Sequence, residues 1–207
     1  MPKIWTVAGM SEKQPKVWIY SMQKILFVSH CILNTAAKVV RYGDTGKKEE
    51  ESRLEFVVKT VEQGIQLVQL PCPEFTLYGP GRWGHTKEQF DNPFFREHCR
   101  KILEPILTQM KAYMAPGEQG RFSVLGVVGI DGSPSCGVSR TCSGCWGGEF
   151  SGRTDLQEVL STCHSAPGTG VMMEVLKSMM EEEGIQLPVE GLKPGDLQAV
   201  MSLVAGT

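Results

Sequence analysis

Residues 24–29 read KILFVS, a short apolar run that is followed within two positions by Cys31. Two further runs have the same character, residues 65–70 (IQLVQL) and residues 123–130 (SVLGVVGI). Runs of this length, rich in β-branched residues and bounded by turn residues, are typical of buried strands in a parallel sheet. Residues 185–189 form a fourth and weaker run. The sequence therefore predicts a sheet of buried strands.

Amphipathic stretches alternate with these runs and predict helices. Residues 49–63 carry apolar side chains at i, i+3, i+4 and i+7, namely Leu54, Val57, Val58 and Val61. Residues 94–114 form a longer helical pattern, which Pro105 should kink or divide. Residues 170–183 carry a methionine stripe that core packing explains most simply, and residues 194–204 predict a short final helix. This alternation predicts an α/β protein, a three-layer Rossmann/flavodoxin-like mainly parallel sheet of four to five strands flanked by helices.

Length and charge exclude several functional classes. The chain has 207 residues, with 21 Lys and Arg against 23 Asp and Glu, and a net charge of −2. It lacks the clustered cations that bind nucleic acid and any apolar run long enough to span a membrane. We expect residues 22–207 to form a single domain after an N-terminal leader or arm, residues 1–21. With no apolar secretory signal, we expect a cytoplasmic protein.

Three of the seven cysteines follow the three strong predicted strands. Cys31 and Cys72 each lie two residues after a strand, and Cys136 lies in the loop after the third. Ligands of open parallel sheets bind at the carboxyl ends of the strands, so these thiols are expected to converge. Their local sequences are SHC, LPCPE and GIDGSPSCG, in which proline and glycine favour preorganised loops.

Three thiols suggest an unusual metal site. Structural zinc normally takes four ligands, often from paired CxxC units, whereas these three positions are far apart in sequence. An iron–sulfur cluster with one iron free of cysteine fits the pattern better, because its open iron can act as a Lewis acid. A zinc site and a metal-free thiol site stay open as alternatives.

The same residues resemble a known family. Ser-x-Cys after the first strand, Cys-Pro-Glu after the second and Ser-Pro-Ser-Cys-Gly after the third are similar to the motifs of the thiouracil desulfidase (TudS-like) family. The longer string GIQLVQLPCPEFTLYG…RWGHTKEQFDNPFFREHCR…TCSGCWGGE resembles a TudS-related desulfidase branch, and the resemblance covers about residues 22–190. It implies a 4Fe–4S cluster with one open iron, which takes the sulfur of a small thiolated substrate.

The resemblance also implies roles for individual residues. Cys31, Cys72 and Cys136 match the cluster ligands, and Ser133 matches a serine near the substrate. We choose Glu74 of Cys-Pro-Glu as the acid–base carboxylate, so that catalysis rests on Glu74 and Ser133.

The first motif departs from the family pattern, so the resemblance does not fix thiouracil as the substrate. The family's shorter members have Ser-Ala-Cys-Leu-Leu-Gly where this chain has SHCILN. His30, Asn34 and Ser135 are the expected substrate-binding residues. For His30, a hydrogen-bonded histidine at the strand end is the alternative.

Two other segments have open interpretations. Residues 82–85 (RWGH) form either a substrate wall or an exposed loop with a packing tryptophan. Cys142 and Cys145 form a CxxC, for which completing the cluster's ligands is one open interpretation, and Cys99 and Cys163 are expected in the core. Three functions follow: a desulfidase, a non-catalytic iron–sulfur or sulfur-trafficking protein with a fully cysteine-ligated cluster, and a zinc-bound or metal-free binding module.

Overall fold

A computed structural model of the protein describes residues 22–41, 46–145 and 147–205, so the expected leader, residues 1–21, lies outside the described residues. The strands are β1 (Gln23–Val28), β2 (Gln66–Gln69), β3 (Phe122–Ile130), β4 (Arg140–Ser143), β5 (His164–Pro167) and β6 (Val189–Leu192). The main sheet has the order β2–β1–β3–β6, and all its neighbouring strands are parallel. Strands β4 and β5 form a separate antiparallel pair.

Helices connect and cover these strands. They are α1 (His30–Leu33), α2 (Lys47–Glu62), α3 (Pro73–Tyr78), α4 (Lys87–Phe90), α5 (Pro93–Tyr113), α6 (Leu156–Ser161), α7 (Val171–Glu182) and α8 (Gln198–Ala205). In the part of the chain that the structure describes, none of them is both long and apolar enough to cross a bilayer.

The sheet separates two cores. Phe27 of β1 packs in a cluster with side chains of α5 and α7, whereas the next residue, Val28, packs in a cluster with Phe56 of α2 and Val200 of α8. This alternation follows from the period of two along a strand, which sends successive side chains to opposite faces. The α/β class, the parallel sheet and its covering helices are confirmed.

The fourth strand begins later than the sequence predicts. The expected run at residues 185–189 precedes β6, and only Val189 belongs to both. Pro188 has no N–H with which to enter the ladder, although its carbonyl accepts a hydrogen bond from Val127 N at 2.9 Å. The apolar side chains of Ile185 and Leu187 instead pack into the core at the edge of the α5–α7 layer.

Helix α2 forms where predicted but buries a different face. Leu54, Val58 and Val61 are exposed, whereas Phe56 and Thr60 are fully buried. Burial of the polar residue is possible because Thr60 Oγ1 donates to the Phe56 carbonyl at 2.7 Å. The apolar period therefore located the helix correctly, but of its four apolar positions only Val57 packs against the core.

The two long helices form where their apolar patterns predict them. Helix α5 runs without a break through Pro105, which lies on the exposed face, so the expected division does not occur. The N–H that proline lacks would have bonded the carbonyl of Lys101, an exposed residue whose carbonyl can be hydrated. The methionines of α7 are buried in the core, as predicted from the stripe.

Candidate functional site

Three loops bring the predicted cysteines to one edge of the sheet. Cys31 lies in α1 directly after β1, Cys72 follows β2, and Cys136 lies in the loop after β3. Because β2, β1 and β3 are neighbours and parallel, these loops leave the sheet side by side. All three cysteines line one cavity of about 210 Å³. The predicted convergence is therefore present in the structure.

The Cys-Pro-Glu motif is the start of helix α3. Cys72 is the N-cap residue, and its Sγ accepts a hydrogen bond from Phe75 N at 3.4 Å. Pro73 occupies the first helical position, where its missing N–H removes no helical bond. Glu74 consequently lies in the first turn, buried and on the wall of the cavity.

The Ser-Pro-Ser-Cys-Gly motif is a tight loop organised by its own hydrogen bonds. Ser133 Oγ accepts hydrogen bonds from Cys136 N at 3.0 Å and from Ser135 N at 3.3 Å. A Cβ atom on Gly137 would lie 2.1 Å from the Arg140 carbonyl oxygen, so only glycine fits this position. The loop holds Cys136 and both serines in fixed positions on the cavity wall.

Asp131 closes the base of this loop, a role that the sequence did not indicate. Its Oδ1 accepts hydrogen bonds from Val138 N and Ser139 N, both at 2.9 Å. Burial raises the pKa of Asp131, but the bonds from Ser139, Val138 and Arg140 outweigh burial and bring the pKa below its usual value. The carboxylate is therefore an ionised anchor for the loop.

Burial keeps the three site thiols protonated in the free protein. It raises the pKa of Cys31 to about 12, an effect that the nearby Lys38 partly offsets. Burial likewise raises the pKa of Cys72 and of Cys136, and in Cys136 the nearby Cys31 adds to the increase. Thiolates bind metals, so binding here would release protons from these groups.

Glu74 is held between a hydroxyl and a guanidinium. Ser135 Oγ donates to Glu74 Oε1 at 2.6 Å, and Arg82 Nε donates to Glu74 Oε2 at 3.2 Å. All three side chains line the cavity and are nearly inaccessible to solvent. The structure thus brings the predicted Glu74, Ser133 and Ser135 together with the three cysteines.

His30 and Asn34 are not on the cavity wall. The His30 ring stacks on Phe75, with centroids 6.4 Å apart, and lies 3.4 Å from Asn34 Nδ2 through its Nε2. Asn34 is exposed, and its Oδ1 accepts from Ala36 N. These positions favour the alternative for His30, a histidine packed and hydrogen-bonded at the strand end.

Lys38 and Arg41 line the cavity, whereas the predicted His30 and Asn34 do not. Lys38 and Arg41 both pair with the buried carboxylate of Glu49, the Arg41 Nη1 at 2.7 Å. Lys38 and Arg41 follow the first motif within ten residues, but nothing in their pattern marks them as site residues. They belong to the site because α2 begins beside the loop that carries them.

For residues 82–85 the sequence predicts either a substrate wall or an exposed loop with a packing tryptophan, and each interpretation holds for part of the segment. Arg82 lines the cavity, whereas Trp83 is 72% exposed and its ring lies 6.4 Å from that of Phe150. His85 stacks between the rings of Tyr78 and Phe90. Only the arginine of this segment therefore contributes to the cavity.

The CxxC lies apart from the three site cysteines. Cys142 ends up on β4 and Cys145 just beyond it, and neither lines the cavity. Cys163 is half-buried against Gly144 rather than in the core, whereas Cys99 is fully buried as predicted. Burial, followed by the neighbouring Cys163, raises the pKa of Cys142. This placement gives no support to a cluster completed by the CxxC.

The three thiols of the cavity are the donor type that an iron–sulfur cluster takes. Among the described residues, no group of three or more His, Cys, Asp and Glu side chains is arranged to hold a metal ion. The cavity nevertheless offers three soft ligands from three separate loops, and the cysteines of a cluster bind different irons.

Comparison with known proteins supports the motif resemblance. The sequence model of a family described as "Putative 2-thiouracil desulfurase" matches residues 23–162. The chain belongs to this family. It is also similar to the uncharacterized protein MJ0003 of Methanocaldococcus jannaschii, with 32% identity over 119 residues, 57% of this chain and 70% of the relative. No solved structure matches the chain.

The cavity of this desulfurase-family member lies wholly within the matched span. Its lining residues run from Cys31 to Cys136, while helix α7 and strand β6 lie beyond residue 162. The part of the chain shared with the family is therefore the part that builds the site.

Proposed function

We propose that this protein is an enzyme that removes sulfur from a small thiocarbonyl compound, such as a thiopyrimidine, and releases it as hydrosulfide. The observation that carries the proposal is the placement of Cys31, Cys72 and Cys136 around one cavity that also holds Glu74. Membership in a family described as "Putative 2-thiouracil desulfurase" supports the same class of reaction.

We propose further that the three cysteines hold a 4Fe–4S cluster. When bound, the cluster would supply an open iron that acts as a Lewis acid toward the sulfur of the substrate. The donor set supports this assignment, because it has three thiols and the CxxC lies outside the cavity.

Glu74 and the two serines would move the protons. Glu74 would accept a proton from the water that attacks the thiocarbonyl carbon. Overall, the thiocarbonyl and one water give a carbonyl and hydrogen sulfide, so no electrons are consumed. Ser133 Oγ lies 3.3 Å from Ser135 Oγ, which in turn donates to Glu74. These three side chains form a path along which a proton can pass.

Ser133 is the member of this path suited to donate to the substrate. Its oxygen already accepts from the backbone N–H groups of Ser135 and Cys136, so its single proton is what it has left to donate, either to Ser135 Oγ along the path to Glu74 or to a bound substrate. A hydroxyl in this position would hydrogen-bond the substrate or the departing sulfur.

Anaerobic reconstitution with iron and sulfide tests both parts of the proposal. We expect about four iron atoms per chain in the wild type, with the broad visible absorption of an iron–sulfur cluster. Cys31→Ala should lose this iron, whereas Cys145→Ser, a change at an exposed cysteine outside the cavity, should retain it. The loaded wild type should release sulfide from 2-thiouracil or a related thiocarbonyl compound.

Glu74→Gln separates the enzyme from a non-catalytic iron–sulfur protein. The variant should bind as much iron as the wild type and lose sulfide release, because Gln cannot accept the proton. If the wild type binds iron but turns over none of a panel of thiocarbonyl compounds, the proposed desulfurase activity is contradicted. Absence of an iron–sulfur spectrum would contradict the cluster.

A further inference from the structure

Arg82 is buried at the site and makes three hydrogen bonds through three different nitrogens. Its side chain is 4% exposed. Nε donates to Glu74 Oε2 at 3.2 Å, Nη1 to the Gly79 carbonyl at 3.0 Å, and Nη2 to the Ala37 carbonyl at 2.7 Å. The guanidinium therefore contacts three separate parts of the chain, and two of them, Glu74 and Ala37, line the cavity.

The two carbonyls belong to segments that carry cluster-ligand candidates. Ala37 ends the short 3-10 turn, Thr35–Ala37, that follows the helix of Cys31. Gly79 ends α3, the helix that begins at Cys72. Arg82 thus joins the loop after β1 to the helix after β2 and contacts Glu74 between them.

We propose that Arg82 is the positioning residue that orients Glu74 toward Ser135 and the cavity. The inference rests on the proposed role of Glu74. Because Arg82 occupies one carboxylate oxygen and Ser135 the other, the plane of the carboxylate is set by both partners. A planar guanidinium with donors in several directions suits this task, and a lysine ammonium would reproduce the charge without the geometry.

The protein itself engages three of the five N–H donors of Arg82, one of them through Glu74. Each of its three nitrogens already donates to an acceptor of the protein. Removing the guanidinium would leave a buried carboxylate without its cation, which is costly, whereas removing both groups relieves that penalty. This difference makes the pair testable in the unloaded chain.

The test combines a double-mutant cycle of Arg82→Gln and Glu74→Gln in unfolding with the steady-state kinetics of Arg82→Gln. In urea unfolding of the unloaded chain, Arg82→Gln should lower the midpoint more in the wild-type background than in Glu74→Gln. In the loaded enzyme, Arg82→Gln should lower kcat about 100-fold with KM changed by less than about twofold. Arg82→Lys should restore only part of the activity.

The controls distinguish positioning from general damage. Arg100→Gln removes an exposed ion pair with Glu182 outside the cavity and should leave kcat unchanged. Iron content of Arg82→Gln should equal that of the wild type. Additive losses in the unfolding cycle, or loss of iron as in Cys31→Ala, would overturn the assignment. If the wild type releases no sulfide, the proposed function fails, and the unfolding cycle still decides whether Arg82 and Glu74 are coupled.

Discussion

Ser135 Oγ lies 2.6 Å from Glu74 Oε1, across a separation of 61 residues in the chain. This hydrogen bond joins the loop after β3 to the helix after β2. Ser135 is also 3.3 Å from Ser133 through their hydroxyl oxygens. One buried serine therefore connects the carboxylate to the second proposed catalytic residue.

Ser135→Ala should lower the kcat of sulfide release by about 10- to 100-fold, as expected for the loss of a hydrogen bond to a charged group. The substitution leaves Glu74 Oε1 without its donor and interrupts the path to Ser133. Steady-state rates with 2-thiouracil check the expectation. Ser202→Ala, at an exposed serine of α8, is the matched control and should keep full activity. An unchanged kcat in Ser135→Ala would exclude the proton path.

The strands and the long helices could be predicted because their apolar residues repeat with the right period. Helix α2 shows the limit of this reasoning, since its buried face contains Glu49, Ser52 and Thr60. Ser52 accepts a hydrogen bond from Gly195 N, 143 residues away, and Glu49 pairs with Lys38. Hydrogen-bond and ion-pair partners at such separations cannot be identified from the periodicity of apolar residues along one helix.

The candidate site divides in the same way. The cysteines could be predicted because each follows a predicted strand, and parallel strands end at a common edge. Arg82 could not be assigned, because its role depends on the Ala37 carbonyl, 45 residues earlier in the chain. His30 and Asn34 lie beside a predicted ligand in sequence but turn away from the cavity with the short helix α1.

Gly137→Ala should prevent cluster loading. Its Cβ would lie 2.1 Å from the Arg140 carbonyl oxygen and 2.7 Å from that of Ser133, both backbone atoms that cannot move independently. The loop that presents Cys136 would have to shift, and reconstituted iron should fall to less than about half of the wild-type content. Gly81→Ala is the control, because a Cβ there meets no atom within 4 Å. Equal iron content in both variants would contradict the tight-loop account.

Asp131 should make the stability of the unloaded chain depend on acid pH. Hydrogen bonds from Ser139, Val138 and Arg140 outweigh burial and lower the pKa of Asp131 in the folded chain. Its stabilising contribution is therefore fully present above the unfolded pKa of about 4 and is lost as pH falls through the folded value.

Asp131→Asn tests this dependence. At pH 7 the variant should be about 1–3 kcal/mol less stable, because the ionised acceptor of several hydrogen bonds is removed. The difference between variant and wild type should shrink as the pH is lowered below about 4. Urea unfolding at pH 7, 5 and 3.5 measures both effects. A difference that is the same at all three values would contradict the assignment of an ionised anchor.

The two faces of α2 should respond differently to substitution. Phe56 is fully buried and its truncation in Phe56→Ala should cost about 3–5 kcal/mol of unfolding free energy. Val58 is 45% exposed, and Val58→Ala should change the free energy by less than about 0.5 kcal/mol. Urea unfolding of the two variants compares the faces directly. A larger loss at Val58 would mean that the apolar stripe predicted from the sequence is the buried one.

Ser29→Ala removes a buried hydroxyl and should not destabilise the unloaded chain. Ser29 Oγ is fully buried with no hydrogen-bond partner among the described residues, and Ser29 stands two positions before Cys31. Removing an unsatisfied hydroxyl should leave the stability of the unloaded chain unchanged or raise it by about 1 kcal/mol. Urea unfolding of the wild type and of the variant measures this effect. A marked loss of stability in the variant would show that Ser29 Oγ already has a structural partner.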